Sequence, residues 1–387
     1  MDLSRIPLID AHCHAPDLAG RAPSLEALRS ILSESRCEEQ RRRHLPHSPS
    51  AQASLALLAG LYGCGATLEE VSGALEGRDI AGRCRDLAEK AGVISLLFDH
   101  RFPPDAPGLG ELPEAFGRPA YGALRIESLA EDLLPEGSAF EGFLARFLDG
   151  LAAYKARGGV ALKSIIAYRS GLDVGRPTRL EAIGAYESLR KGAGAGQAGR
   201  LRIAEKNLLD FLLWEALHAA RELTLPFQLH TGFGDADIHL PLANPALLRP
   251  IFEEEGLREL PIVLLHAGYP HVREAGFLVA TYGNAFVDIS LATPLLGGHL
   301  PRVLEELFAL APFSKVLYGS DGHTLPEMHW LGAVWARRGF ERLLGSYVER
   351  GELTEAQAEE GAERVFWKNA SELYGVPGPG DGRAPGN

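Results

Sequence analysis

The order of apolar and polar residues along the chain predicts strands that alternate with helices. Short runs that are apolar at almost every position recur along the chain, and such runs are typical of parallel strands buried on both faces. The eight predicted strands, some including the loop that follows, cover residues 8–14, 92–98, 121–127, 159–168, 225–232, 261–268, 284–290 and 315–322. The main predicted helices between and after them cover residues 140–156, 201–223, 326–344 and 354–374. This alternation favours an α/β fold, a (β/α)8 TIM barrel, over an open doubly wound sheet.

The segment between the first two predicted strands contains more helix than a barrel connection needs. It predicts a helical insertion over about residues 23–91, over or beside one end of the barrel. Ser24 is the expected N-cap of one helix, and Thr67 with Glu70 has the spacing of a capping box. We expect a single domain over residues 1–376, with the Gly/Pro-rich residues 377–387 as a disordered tail.

The composition narrows the class of partner. Hydrophobic residues make up 46% of the 387 residues and charged residues 23%, as in globular proteins with a sizeable core. The formal net charge of −12 argues against a nucleic-acid or anionic-membrane partner, because either would need a basic patch. Four scattered cysteines without a CxxC pair, and the lack of a signal-peptide pattern, indicate a cytoplasmic protein with reduced thiols. We therefore expect a small-molecule substrate and no membrane partner, with a homo-oligomer left open.

Six ionisable side chains stand at or near the ends of predicted strands. His12 and His14 alternate in the first strand, so an extended backbone points both side chains the same way. The others, in chain order, are Lys163 in the fourth strand, His230 ending the fifth, His266 ending the sixth and Asp321 ending the eighth. Active sites of (β/α)8 barrels lie at the carboxyl ends of the strands. His12 and His14 alone could be two unrelated loop histidines, but the whole series favours one site.

These residue types suit a divalent metal ion. Neutral imidazoles bind a borderline metal such as zinc, and Asp321 offers an oxygen ligand. A bound cation lowers the pKa of a water ligand to about 7, and Asp321 is then the natural general base. Lys163 is the unusual member, because an ammonium is repelled by cations and its burial is costly unless it is paired.

The order HxH, lysine, histidine, histidine and aspartate over strands one, four, five, six and eight resembles the amidohydrolase superfamily, amidohydrolase-2 type. More narrowly, the chain is similar to a domain that occurs alone in bacteria and fused to a glutamine-synthetase-like domain in fungal FluG-type and plant nodulin-type proteins. The segments that carry this second resemblance are residues 163–172, 230–235, 321–323, 326–327 and 368–374. The resemblance implies two zinc ions per chain, bridged by carboxylated Lys163. The alternative is a neutral or ion-paired Lys163 beside a single metal.

The resemblance also implies a reaction. We expect a metal-dependent hydrolase of a C–N amide bond in a small carboxylate-bearing substrate, with Asp321 as general base and a γ-glutamyl amide as a specific candidate. One alternative is a decarboxylase that uses one metal and does not need the lysine. Another is a non-catalytic binding domain, which the cost of six buried polar groups without a metal argues against.

Further residues are candidates for contact with the substrate. Arg169 could bind a substrate carboxylate through two hydrogen bonds or form a surface salt bridge. Arg125 and Glu127, expected on one face of the third strand, could support the metal ligands, contact the substrate or form a buried ion pair. The other candidates follow the predicted ligands in loops and are Asp235, Tyr269, His323 and Glu327, the last with helix capping as its alternative.

Overall fold

The computed structural model describes residues 1–18, 24–100, 108–193 and 202–380. Eight strands form one sheet in chain order, and every pair with a described register is parallel. The strands are β1 (Leu8–Cys13), β2 (Val93–His100), β3 (Ala120–Arg125), β4 (Ala161–Ser164), β5 (Phe227–Leu229), β6 (Ile262–Leu264), β7 (Ala285–Asp288) and β8 (Val316–Leu317). The predicted (β/α)8 fold is confirmed.

The helices alternate with the strands. They are α1 (Leu25–Ser30), α2 (Pro49–Tyr62), α3 (Leu68–Leu75), α4 (Ile80–Ala91), α5 (Leu112–Phe116), α6 (Ile126–Leu133), α7 (Phe140–Ala156), α8 (Arg179–Ala193), α9 (Lys206–Glu222), α10 (Arg249–Phe252), α11 (Val272–Thr281), α12 (Ala292–Leu296), α13 (Leu300–Phe308), α14 (Pro326–Glu349), α15 (Glu355–Glu363) and α16 (Asn369–Tyr374). Among the described residues, none of these helices has the length and apolar content needed to cross a membrane.

Helices α1 to α4 form the predicted insertion between β1 and β2. The side chain of Ser24 accepts a hydrogen bond from the backbone N–H of Ala27, which confirms the predicted cap. Thr67 caps α3 in the same way through the N–H of Glu70, at 3.2 Å. The Glu70 carboxylate accepts from the Thr67 hydroxyl at 2.8 Å, so both of these contacts between Thr67 and Glu70 run through the hydroxyl.

The chain divides into two compact units, each defined by the contacts within it. Unit 1 comprises Met1–Tyr121, Gly234–Ala236 and Val287–Asn387. Within it, β1 and β8 are joined where the N–H of Ala11 donates to the carbonyl oxygen of Tyr318 at 3.0 Å. Unit 2 comprises Gly122–Phe233 and Asp237–Phe286.

Some predicted boundaries differ from the structure. Strand β3 ends at Arg125 and α6 begins at Ile126, so the predicted strand over 121–127 is wrong at its end. The helix predicted over 201–223 starts at Lys206. A single domain over residues 1–376 stays a prediction. Of the predicted tail, residues 381–387 lie outside the described part of the chain.

Candidate metal centre

In unit 1, two histidines and an aspartate turn towards one another at the ends of β1 and β8. His12 lies in β1, His14 follows directly after it, and both are buried. One carboxylate oxygen of Asp321, Oδ1, lies 3.2 Å from Nε2 of His12 and 3.4 Å from Nε2 of His14. The imidazole rings are nearly perpendicular, with centroids 5.5 Å apart. This nitrogen and oxygen donor set fits a divalent metal.

Asp99 belongs to the same neighbourhood and was missed by the sequence reasoning. It lies near the end of β2, is buried, and its Oδ2 lies 4.0 Å from Nδ1 of His14. His12, His14 and Asp99 each offer a ligand atom within 4.8 Å of the others. The available signal was its position, because Asp99 also ends a predicted strand.

The backbone at Asp321 has an uncommon conformation. Its φ is +53°, in the left-handed region that non-glycine residues rarely adopt. Two hydrogen bonds tie the surrounding backbone to β1: Asp321 N–H donates to His12 O at 2.9 Å, and His14 N–H donates to Gly322 O at 2.7 Å. Such conformations persist where the surroundings fix them, and they cluster at functional sites.

In unit 2, His230 and His266 form a second pair. Nε2 of His266 lies 3.0 Å from Nδ1 of His230. The other ring nitrogen of His230, Nε2, lies 3.1 Å from the carbonyl oxygen of Phe233, which can only accept. Nε2 therefore carries the proton, and Nδ1 presents its lone pair, as a metal-binding imidazole requires. A separation of 3.0 Å is close to the roughly 3.3 Å between two nitrogen ligands on one tetrahedral zinc.

Lys163 is buried in β4, with 2% of its surface exposed. The strand register places it between Arg125 of β3 and Gln228 of β5. His230 follows Gln228 by two residues and so continues the same face of the strand. The Arg125 side chain is also buried, so two cationic residue types occupy neighbouring positions of the sheet.

Glu127 does not share a strand face with Arg125, which corrects the prediction. It lies in the first turn of α6, where a carboxylate interacts favourably with the helix dipole. Its Oε1 accepts from the Ser164 hydroxyl at 2.5 Å and from the Ile165 N–H at 3.0 Å. Burial raises the pKa of Glu127. The side chain thus supports the backbone just after Lys163.

Arg169 forms an ion pair in the interior. Its Nη2 donates to Oε1 of Glu131 at 2.9 Å, and both side chains are at most 10% exposed. The predicted surface position of the Arg169 salt bridge is therefore wrong. The sequence did not identify Glu131 as the partner of Arg169. The same Glu131 oxygen also accepts from the N–H of Ile203 at 3.0 Å, so this carboxylate joins α6 to two later segments.

The remaining candidates occupy varied positions. In unit 1, Asp235 pairs with exposed Arg36 at 3.0 Å, and Nε2 of His323 lies 3.8 Å from a Glu34 oxygen. In unit 2, the Tyr269 ring contacts the ring of Phe233, with centroids 5.2 Å apart.

Glu327 is fully buried in the first turn of α14, in unit 1. Its carboxylate accepts from Nε and Nη2 of Arg83 at 2.9 and 3.0 Å and from the Tyr62 hydroxyl at 2.5 Å. Both partners lie in the helical insertion. Glu327 therefore holds the insertion rather than capping a helix.

Comparison with known proteins finds similarity over more than half of the chain. The family model described as Amidohydrolase matches residues 166–376, more than half of the chain. Protein fluG of Emericella nidulans is 32% identical over 221 residues, which are 56% of this chain and 25% of that protein. The chain thus spans about a quarter of the length of this relative.

Solved structures cover nearly the whole chain. A protein from Lactobacillus casei described as an inferred metal-dependent hydrolase is 28% identical, with a TM-score of 0.85 and 97% of each chain covered. Uronate isomerase from Thermotoga maritima is 15% identical, with a TM-score of 0.65, 96% of this chain covered and 95% of that one. The second likeness concerns the fold alone.

Proposed function

We propose, because the chain belongs to the amidohydrolase family, that it is a metal-dependent hydrolase of a C–N amide bond. The observation that carries this proposal is the shared approach of His12 and His14 to one oxygen of Asp321. The likeness to the Lactobacillus casei protein over 97% of the chain supports a metal-dependent hydrolase. A small carboxylate-bearing substrate, with a γ-glutamyl amide as the specific candidate, follows from the family resemblance.

Two divalent metals, most simply zinc, are the proposed cofactors. The ligands would be His12, His14, Lys163, His230, His266 and Asp321. When bound, the metals would polarise the substrate carbonyl and lower the pKa of water to about 7. Zinc suits the set because its protein ligands are mostly imidazole nitrogens.

Carboxylation of Lys163 completes this proposal. The neutral amine attacks carbon dioxide, a N–C bond forms, and one proton is released, leaving an anionic carbamate. The register supports this step, because a carbamate would place a negative charge next to Arg125 instead of a second positive one. Burial of Lys163 also favours the neutral amine that the reaction needs.

Asp321 is the proposed proton carrier. Its carboxylate faces two imidazoles and the side chain is only 11% exposed, so few water molecules compete for it. A carboxylate there can take a proton from the attacking water and deliver it to the leaving amine. The backbone of Asp321 and Gly322, hydrogen-bonded to His12 and His14, limits how far the Asp321 side chain can move between these two tasks.

A decarboxylase that uses one metal is the competing proposal. Unit 1 by itself brings His12, His14 and Asp321 together, and three protein ligands suffice for one catalytic zinc. In that case Lys163 would not be needed.

Metal stoichiometry separates the two proposals. We expect two metals per chain by elemental analysis after loading with zinc and bicarbonate, and hydrolysis of γ-glutamyl amides within a panel of carboxylate-bearing amides. One metal per chain, with carbon dioxide released from aromatic carboxylic acids, would favour the decarboxylase. A folded protein that takes up no metal would contradict both.

A further inference from the structure

A buried polar cluster lies behind the candidate ligands of unit 1. Its members are Asp10 in β1, Ser320 just before Asp321, and His329 in α14. Asp10 and Ser320 are fully buried and His329 is 4% exposed. The proposed reaction uses none of the three, yet burying a carboxylate, a hydroxyl and an imidazole is costly unless they bond one another.

Asp10 receives two hydrogen bonds from the same residue. The Ser320 N–H donates to Oδ1 at 2.8 Å, and the Ser320 hydroxyl donates to Oδ2 at 2.5 Å. This paired contact fixes both the backbone and the side chain of Ser320 against β1. Hydrogen bonds to a charged carboxylate are about twice as strong as those between neutral groups.

The Ser320 hydroxyl also reaches across Asp321. Its oxygen accepts from the N–H of Gly322 at 2.9 Å. The hydrogen bonds of one serine therefore lie on both sides of Asp321, the residue with φ at +53°. A non-glycine residue in that conformation is strained, and these hydrogen bonds offset the strain.

His329 closes the cluster on its far side. Its Nδ1 lies 3.5 Å from Oδ2 of Asp10 and 3.4 Å from the Ser320 hydroxyl oxygen. A Cβ atom at Gly322 would lie only 2.4 Å from Cγ of His329. The ring thus lies directly against the backbone that follows Asp321, and it leaves this backbone no room to relax towards α14.

We infer that Asp10 and Ser320 are positioning residues that hold Asp321 where it can share a metal with His12 and His14. This inference rests on the proposed metal-dependent function. A serine and an aspartate that do not touch the metal would thus help to position one of its ligands. Partners of this kind typically change metal affinity by 10–100-fold when they are removed.

The test compares two buried serines of unit 1. Ser320→Ala removes the hydroxyl that bonds Asp10 and Gly322. Ser54→Ala is the matched control, because Ser54 is also buried and its hydroxyl accepts from Nε1 of Trp335 at 3.0 Å. The readouts are zinc affinity, by competition with a chelating dye, and the absorption spectrum of the cobalt-substituted protein.

We expect Ser320→Ala to weaken zinc binding by 10–100-fold and to change the cobalt spectrum, while Ser54→Ala keeps the wild-type values of both. Equal affinity in Ser320→Ala and the wild type, or an equal loss in both variants, would overturn the inference. If Ser320→Ala does not fold, the same two readouts are measured on Asp10→Asn instead. Its amide keeps the shape of the carboxylate and can still accept from the Ser320 N–H. A wild-type protein without metal would instead contradict the proposed function.

Discussion

At the scale of single residues, the proposed function gives the carboxylate of Asp321 two tasks, as metal ligand and as general base. A ligand needs an oxygen lone pair, which an amide also has, whereas a general base must take up a proton, which an amide cannot do. The approach of His12 and His14 to the same Asp321 oxygen is the geometry expected for the first task. The second task can be tested separately.

Asp321→Asn should lower turnover at least about 100-fold while leaving at least one metal bound, because the amide keeps an oxygen but loses the base. Kinetics and elemental analysis on the same preparation measure both effects. Asp210→Asn is the control, since Asp210 is another buried carboxylate, bonded to Gly175 N–H and Lys206 in unit 2. Near-native turnover of Asp321→Asn would remove Asp321 from the role of base.

Lys163→Ala should lose metal and activity together, because the proposed bridging carbamate cannot form. Short carboxylic acids or bicarbonate should restore part of both by occupying the vacated bridge. Lys163→Arg should restore neither, since a guanidinium stays cationic and cannot form a carbamate. In the wild type, ¹³C-labelled carbon dioxide should give a carbamate signal by NMR. An active Lys163→Arg protein would contradict the bridged metal pair.

Cys84 should make the stability of the folded protein fall at alkaline pH. Burial, assisted by nearby Glu327, raises the pKa of this thiol from 9.0 to about 12. Above pH 9 the unfolded chain releases a proton that the folded protein keeps, so stability present below pH 9 is lost as pH rises. The loss from this group is about 1.4 kcal/mol by pH 10.

Denaturant unfolding at pH 8 and pH 10 checks this, because Cys84→Ala should show a smaller fall in unfolding free energy between the two values. Cys37→Ala, which removes an exposed thiol, controls for the loss of a cysteine. A fall in Cys84→Ala as large as in the wild type would contradict the assignment.

At the scale of elements, one carboxylate attaches the insertion. Glu327 lies in the first turn of α14, shortly after Asp321, and its partners Arg83 and Tyr62 come from α4 and α2. Removing one member of a buried ion pair leaves a charge without its counter-charge, which usually costs more than the pair itself contributes. The Arg83–Glu327 pair that holds the insertion should therefore tolerate replacement of both residues better than replacement of one.

Arg83→Met should lower the free energy of unfolding by about 3–5 kcal/mol, measured by denaturant titration. The double variant Arg83→Met/Glu327→Met should lose less than the sum of the two single variants. Arg42→Met breaks the exposed pair with Glu38 and should cost less than about 1 kcal/mol. A cost for Arg83→Met as small as that control would show that the pair does not stabilise the insertion.

At the scale of the whole molecule, the parts that could be predicted are those written in local patterns. The apolar runs located all eight strands, and the polar residue that ends a run marked His12, His266 and Asp321 as candidates. The predicted end of β3 was wrong. Ile126 and Glu127 continue the alternation of apolar and polar residues, which also fits the start of a helix.

What could not be predicted depends on distant partners. Glu327 bonds Arg83, 244 positions away, and Asp10 bonds Ser320, 310 positions away. Neither spacing leaves a local pattern, so Glu327 was read as a pocket or capping residue. His329 gave no signal either, because it lies inside α14 and becomes relevant only where that helix packs against the end of β8.

The make-up of unit 1 has a consequence for the order of synthesis. Its two main parts, which end at Tyr121 and resume at Val287, are separated in the chain by all of unit 2. At about 5–20 residues per second on a ribosome, β1 waits on the order of ten seconds or more for the residues around Ser320. During that time Asp10 and Arg83 lack the partners that bury them, whereas all of unit 2 is synthesised. The half of the molecule that starts with the histidine pair is therefore the last to be finished.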